Sequence, residues 1–282
     1  TDYLEEEAGF GGYETASKRR EEIEETYSSI ARLVNADAGE IALLENATAA
    51  WNMAFYAVDF NKGDRILTSV SEYASNYLNY LNLRRQKAIS IEIIPNDRYG
   101  QVSVASLAEM MDERVKLISI THIPTNNGLV NPAEDIGKIA ARYNCLYLLD
   151  ACQSVGQYPV DIQKIGCHML SATGRKYLRG PRGTGFLYVK KNKLGELSPP
   201  FLDLHSAEWT EKDRFRIRED ARRFENWEAN YAGIIGLNTA AKYLLELGIS
   251  DVWLRIKELA GRLRNRLESV AGVRLHDTGK KK

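Results

Sequence analysis

Between Val115 and Val189 the runs VKLISITHI, CLYLLD, HMLSAT and GTGFLYV stay apolar almost from end to end. A strand wetted on one face alternates apolar with polar residues, so runs of this kind belong to a sheet covered on both faces. Shorter extended segments, IALLE, RILTSV and SIEIIP, precede them. Helical stretches are predicted between these strands, over Thr15 to Val34, Thr48 to Val58, Ser75 to Lys87, Val104 to Asp112 and Pro132 to Tyr143. In the first of these, Ile23, Tyr27, Ile30 and Leu33 recur at three- and four-residue steps. Asn131 reads as the cap of the last, with Pro132 in its first turn. The alternation predicts an α/β three-layer sandwich with a mostly parallel sheet.

Composition permits that fold and narrows the partners. The 282 residues are 44% hydrophobic, enough to bury a large core. Lys plus Arg equals Asp plus Glu at 38 each, so no general attraction to nucleic acid or an anionic membrane is expected. No apolar run approaches the ~20 residues of a membrane helix. The opening TDYLEEEAGF is acidic where a signal peptide would be basic and then apolar. Cys145, Cys152 and Cys167 make an odd set without metal-ligand spacing, which fits a reducing compartment, with the cytoplasm as the expected location. The histidines His122, His168, His205 and His276 show no paired metal spacing either.

After Lys193 the chain changes character. Leu194 to Asn230 is polar, aromatic and irregular, as in a surface excursion or subunit contact. Helices are predicted over Tyr231 to Leu247 and Val252 to Val270, followed by one extended piece, GVRLHD. A helix and a single strand cannot enclose a core, so residues 1–245 are expected to form a large domain and 246–282 the start of an incomplete, truncated C-terminal one.

In an open parallel sheet, ligands sit beyond the carboxyl ends of the strands. Four such ends carry suitable chemistry. IALLE runs through Asn46 and Ala47 to Thr48 at a helix start, where free N–H groups and the helix dipole suit a phosphate, although Asn or Thr there is more often only a cap. VKLISITHI leads into Pro124, Thr125, Asn126, Asn127 and Gly128, either a plain polar turn or a place for Thr125 or Asn126 near a cofactor oxygen. CLYLLD ends in Asp150, followed by Gln153, and HMLSAT leads into Thr173, Gly174, Arg175 and Lys176. A strand-end lysine and a strand-end carboxylate are what pyridoxal 5'-phosphate requires. The amine holds the aldehyde as a Schiff base, and the carboxylate keeps the pyridine nitrogen protonated. Gln153 can donate to the ring oxygen and Arg175 can grip phosphate.

Taken in order, NATAAWNMAF, SEYASN, THIPTNNGLVNP, LLDACQSVGQ, SATGRKYLRGPRGTGFLYV and RFENWEANYAGIIGL resemble the class V aminotransferase group of fold-type I pyridoxal-phosphate enzymes. The wording of SEYASN and RFENWE is most similar to the branch of hercynylcysteine sulfoxide lyase and isopenicillin N epimerase, which is related to the cysteine desulfurases. The resemblance implies Lys176 as the Schiff-base lysine, Asp150 as the pyridinium partner and Gln153 as the ligand of the ring oxygen. It also implies Ala47, Thr48, Thr173 and Arg175 around the phosphate. Where desulfurases stack a histidine on the ring, this chain has Tyr73, which stacks well but holds its proton too tightly at neutral pH to shuttle it as histidine does.

Where many relatives carry a Gly-Thr pair reaching the neighbouring subunit's phosphate, this chain has Trp227 and Glu228. The implied assembly is a homodimer with Trp227 and Asn230 near the partner's site. Cys152 is expected to point into packing and His122 to support its strand end. The arginine that binds the substrate carboxylate in relatives is expected beyond Lys282. The implied reaction is C–S β-elimination from a cysteine-derived amino acid. Transamination and epimerisation remain open, as does a catalytically incomplete cofactor-binding fragment or scaffold.

Overall fold

Helices and strands alternate through the computed structural model, which describes residues 2–126, 128–277 and 279–280. The order is α1 (Asp2–Phe10), α2 (Gly12–Lys18), α3 (Arg20–Val34), β1 (Ile41–Leu44), α4 (Ala47–Tyr56), β2 (Arg65–Ser69), α5 (Ala74–Lys87), β3 (Ser90–Ile94), α6 (Val104–Met110) and β4 (Val115–Thr121). There follow α7 (Ala133–Arg142), β5 (Leu146–Asp150), α8 (Ile162–Ile165), β6 (Met169–Thr173), β7 (Gly185–Val189), β8 (Ala207–Glu211), β9 (Arg214–Ile217), α9 (Tyr231–Leu247) and α10 (Ile249–Glu268).

Among the described residues, seven strands form one sheet in the order β1-β7-β6-β5-β4-β2-β3. All run parallel except β7, which is antiparallel to both β6 and β1. Alternate residues of β5 separate two cores. Leu146 and Leu148 join Trp51, Phe55 and Tyr80 on the α4/α5 side, while Tyr147 and Leu149 join Ile30, Ile136 and Leu237 on the α3/α7/α9 side. The expected three-layer sandwich is therefore present, and its continuous apolar strands are those buried on both faces.

Packing fixes where the helices begin. Trp51 stacks on Phe55 with ring centroids 4.6 Å apart, and Tyr80 meets both rings edge-on at 5.5 Å. All three side chains are essentially inaccessible, and each buried aromatic of this size contributes about 1.5–3 kcal/mol. This wedge clamps α4 and α5 to the sheet, with their N-termini at the carboxyl ends of the strands. On the other face Ser29 Oγ of α3 donates to Asn238 Oδ1 of α9 at 2.7 Å.

Four sequence expectations are corrected. The predicted helix over Thr15 to Val34 breaks at Arg19, whose guanidinium pairs with Glu6 of α1 at 2.8 Å and with Glu22 at 2.6 Å, so tertiary ion pairs override local propensity. Asn131 does not cap α7, which starts after Pro132. Its side chain instead accepts from Val102 N–H at 3.0 Å and donates to Thr121 O at 2.8 Å, tying the β4 end to a neighbouring loop. GVRLHD forms no strand. The irregular stretch before α9 contains the β8–β9 hairpin. α10 buries none of its residues, and Leu254, Leu259 and Leu263 stay exposed. Among the described residues no helix is long and apolar enough to cross a membrane.

Candidate active site

A cavity of about 390 Å³ opens at the carboxyl ends of the parallel strands, lined by Asn46, Ala47, Thr48, Tyr73, Asn76, Thr121, Thr125, Asp150, Cys152, Gln153, Thr173, Arg175 and Lys176. The nine residues singled out from sequence, Ala47, Thr48, Tyr73, Thr125, Asp150, Gln153, Thr173, Arg175 and Lys176, all fall on this one wall. Asn126 is absent from the lining, and Asn127 lies outside the described residues. A larger cavity of about 510 Å³ beside α6 and α7 is lined by acidic side chains such as Asp97, Glu134 and Asp161, but brings together no comparable set of strand ends.

At the N-terminus of α4, Asn46 Oδ1 accepts from Ala49 N–H at 2.9 Å, while the early N–H groups of the helix have no intrahelical acceptor. Those groups and the helix dipole favour an anion beside Ala47 and Thr48. The turn can lie this close to the sheet because β7 starts with glycine. A Cβ on Gly185 would come within 2.7 Å of the Asn46 backbone.

Asp150 ends β5 and is 5% exposed. Its Oδ1 accepts from Cys152 N–H at 2.9 Å and its Oδ2 from Asn76 Nδ2 at 3.0 Å. Both donors are neutral, and no ion pair joins Asp150 to a cation among the described residues. Burial raises its pKa, opposed by those two hydrogen bonds and by the charge of Lys176. The strand end is braced by His122, whose N–H donates to Asp150 O at 2.9 Å and whose Nδ1 lies 3.1 Å from Ser154 Oγ, the supporting role expected for this histidine.

Lys176 sits half-buried in the loop between β6 and β7. Gly174 N–H donates to Thr184 O at 2.9 Å, and Gly180 N–H to Gly174 O at 2.7 Å, closing the base of that loop. Gly156 docks the turn after β5 against it. Its φ is +98°, and a Cβ there would overlap the backbone of Tyr177 and Leu178.

Cys152 departs from expectation. The turn after Asp150 places Cys152 in the cavity lining together with Lys176 instead of in the core. Burial, and then the charge of Asp150, hold the thiol above its ordinary pKa, so it stays protonated near neutrality. Gln153 Nε2 donates to Thr125 Oγ1 at 3.2 Å across the cavity mouth. Tyr73, 44% exposed, stands at the start of α5 and presents its ring along one wall.

Trp227, Glu228 and Asn230 lie outside this lining. Asn230 Oδ1 caps α9 by accepting from Gly233 N–H at 2.8 Å, and Trp227 leaves its side chain half exposed. Asn76, Thr121 and Glu72 escaped the sequence reading. The spacing of Glu72 and Asn76, four residues apart at a helix start, was the available signal.

Fold and cavity define an α/β protein whose chemistry is gathered at the carboxyl edge of a parallel sheet. The aminotransferase class-V family profile matches residues 2–282, and the chain belongs to that family. A probable cysteine desulfurase of Methanothermobacter thermautotrophicus is 30% identical over 276 residues, covering 97% of this chain and 69% of that protein. One from Synechocystis sp. is 31% identical over 273 residues, covering 94% and 64%. Among solved structures, the apo cysteine desulfurase of Thermococcus onnurineus NA1 matches with a TM-score of 0.85 at 25% identity, over 90% of this chain and 64% of that one. A cystine C–S lyase solved with its reaction product cysteine persulfide shares the fold, with a TM-score of 0.87 at 23% identity over 96% and 73%. The chain thus spans about two thirds of the length of the curated relatives it matches.

Proposed function

We propose that the chain binds pyridoxal 5'-phosphate in this cavity and uses it to break a C–S bond in a cysteine-derived amino acid, by β-elimination. The carrying observation is the Asp150 carboxylate, buried with only neutral donors and facing a cavity whose other walls offer Lys176, Arg175 and the α4 N-terminus. Such a charge is held in place for a cation that the protein itself does not supply, and a protonated pyridine meets that need. The relatives described as cysteine desulfurases and the cystine C–S lyase support the same class of substrate.

Bound pyridoxal phosphate would supply a ring that withdraws electrons from the substrate Cα. The chain's own residues would do the rest. Lys176 Nζ would hold the aldehyde carbon and serve as the base for the Cα proton. Asp150 would keep the ring nitrogen protonated, and Gln153 and Thr125 would bind the ring oxygen. Tyr73 would stack on the ring, while Thr48, Ala47, Thr173 and Arg175 would hold the phosphate.

A homodimer completes this reading. The exposed aromatic side chains Phe201, Trp209, Phe215 and Trp227 on the excursion before α9 support a subunit contact there, with Asn230 close by. The reducing cytoplasm suits three free cysteines. Residues 1–245 would form the cofactor-binding domain, with 246–282 beginning a smaller one, in keeping with the uncovered apolar face of α10.

Protein incubated with pyridoxal phosphate is expected to gain a visible absorption band that Lys176→Ala lacks. Given cysteine sulfoxides or cystine, it is expected to release pyruvate without a keto-acid acceptor. Acceptor-dependent turnover would replace elimination with transamination, and colourless protein would overturn the cofactor assignment.

A further inference from the structure

Glu72 has no place in the chemistry above, yet it is the most heavily hydrogen-bonded carboxyl beside the cavity. It lies between the ends of β2 and β4, one residue before the cap of α5. Its Oε1 accepts from Thr121 Oγ1 at 2.5 Å, from Tyr73 N–H at 2.9 Å and from Asn76 Nδ2 at 3.0 Å. Its Oε2 accepts from Thr68 Oγ1 at 3.1 Å. The same Asn76 nitrogen donates to Asp150 Oδ2 at 3.0 Å. An amide NH₂ has two hydrogens, so this one bridges two carboxyls and is fully used by them.

We infer that Glu72 is a positioning residue for Asp150: acting through Asn76, it fixes how the Asp150 carboxylate faces the cavity, and its own charge, once ionised, adds to the hold of that site on a cation. The geometry leaves Asn76, 2% exposed, no alternative orientation that keeps both bonds. Rotating either carboxyl would strip a buried donor of its partner. Glu72 also receives Tyr73 N–H, so the same group that aims Asp150 sets the start of the helix carrying the ring-facing tyrosine.

The charge on Glu72 can change in the useful range. Burial pushes its carboxyl up to about 7, opposed by the Thr121 bond and reinforced by the negative charge of Asp150. The groups facing it are few. From β2 and β4 come only the hydroxyls of Thr68 and Thr121, from α5 the Tyr80 phenol, from β5 Asp150, and beyond Asp150 the Lys176 ammonium. Below about pH 7 the neutral acid leaves Asp150 as the sole negative charge. Above it, two carboxylates share one amide, and the charge of Asp150 strengthens the hold of Glu72 on its proton.

What Asp150 faces rests on the proposed cofactor; the coupling itself does not, so the test begins with the apoprotein. Carboxyl ¹³C NMR of the unaltered chain is expected to show Glu72 titrating near neutrality, and an ordinary acidic midpoint overturns the inference. In Asp150→Asn the Glu72 midpoint is expected to fall by on the order of one pH unit, because a neighbouring negative charge is gone. An unchanged Glu72 midpoint overturns it.

Stability gives a second reading. An acid whose folded pKa is raised is favoured in its protonated form, so this contribution is present at low pH and is lost as pH rises from the unfolded value through about 7. The folding constant of the unaltered chain should fall on the order of 10²-fold more across that window than that of Glu72→Gln. With pyridoxal phosphate added, a band that forms while the Glu72 midpoint ignores Asp150 sinks this inference and leaves the cofactor reading intact. Coupling in the apoprotein without any band does the reverse.

Discussion

On the floor of the cavity, Asp150, Asn76 and Thr121 are buried and each is held by a hydrogen bond from another element, whereas at its rim Thr48, Tyr73 and Arg175 reach into solvent. The floor carries a charge that must keep one direction in a poorly solvated site, where a misaligned carboxylate would be costly. Folding itself therefore has to fix it. The rim meets the anionic and planar parts of a ligand, and side chains there can be ordered when that ligand arrives. The floor is thus shaped by the stability of the domain, and the rim by binding.

This division is open to attack in order of expected effect. Replacing Asp150 by Asn keeps the volume and removes the charge, so turnover in the pyruvate assay should drop about 10²–10⁴-fold while the visible band persists. Near-normal turnover would mean that the floor charge is not used. Gly156 is the seam between the two regions, because its turn leaves the floor and touches the Lys176 loop. Gly156→Ala combines a disfavoured φ with backbone overlap and should destabilise the apoprotein by about 2–4 kcal/mol, read as a lower urea midpoint. Arg175→Ala should act on binding alone. The Kd for pyridoxal phosphate is expected to rise about 10–100-fold, with the apoprotein melting temperature almost unmoved. A large loss of apoprotein stability would place Arg175 with the floor.

Much of this site is legible in the sequence, for a physical reason. A polar residue at the end of a continuous apolar run has to lie at the edge of the sheet, and the edges of parallel strands converge. Asp150, Thr173 and Lys176 could therefore be placed together without coordinates. The strands of the seven-stranded sheet were found by the same apolar runs, and a helix was placed over Tyr231 to Leu247, where α9 lies. What stayed hidden depends on contacts distant in sequence. The break at Arg19 has no glycine or proline to announce it, only Glu6 and Glu22 drawing on one guanidinium. Asn131 looks like a cap until Val102 and the β4 end claim both halves of its amide. Cys152 was read as core because cysteine usually is, but the turn after β5 places it in the cavity lining with Lys176. Glu72 and Asn76 could be paired from their spacing, yet their link to Asp150 crosses from α5 to β5.

The reversal of β7 has its own consequence. Because β6 and β7 are antiparallel neighbours, with Thr173 facing Gly185, the segment bearing Lys176 is the bend of a hairpin whose two legs are both anchored in the sheet. A helical crossover can absorb an added or deleted residue in its connections, but a bend fastened on both sides passes any change in length directly to its apex. The amine is held at a fixed reach, as on a short leash.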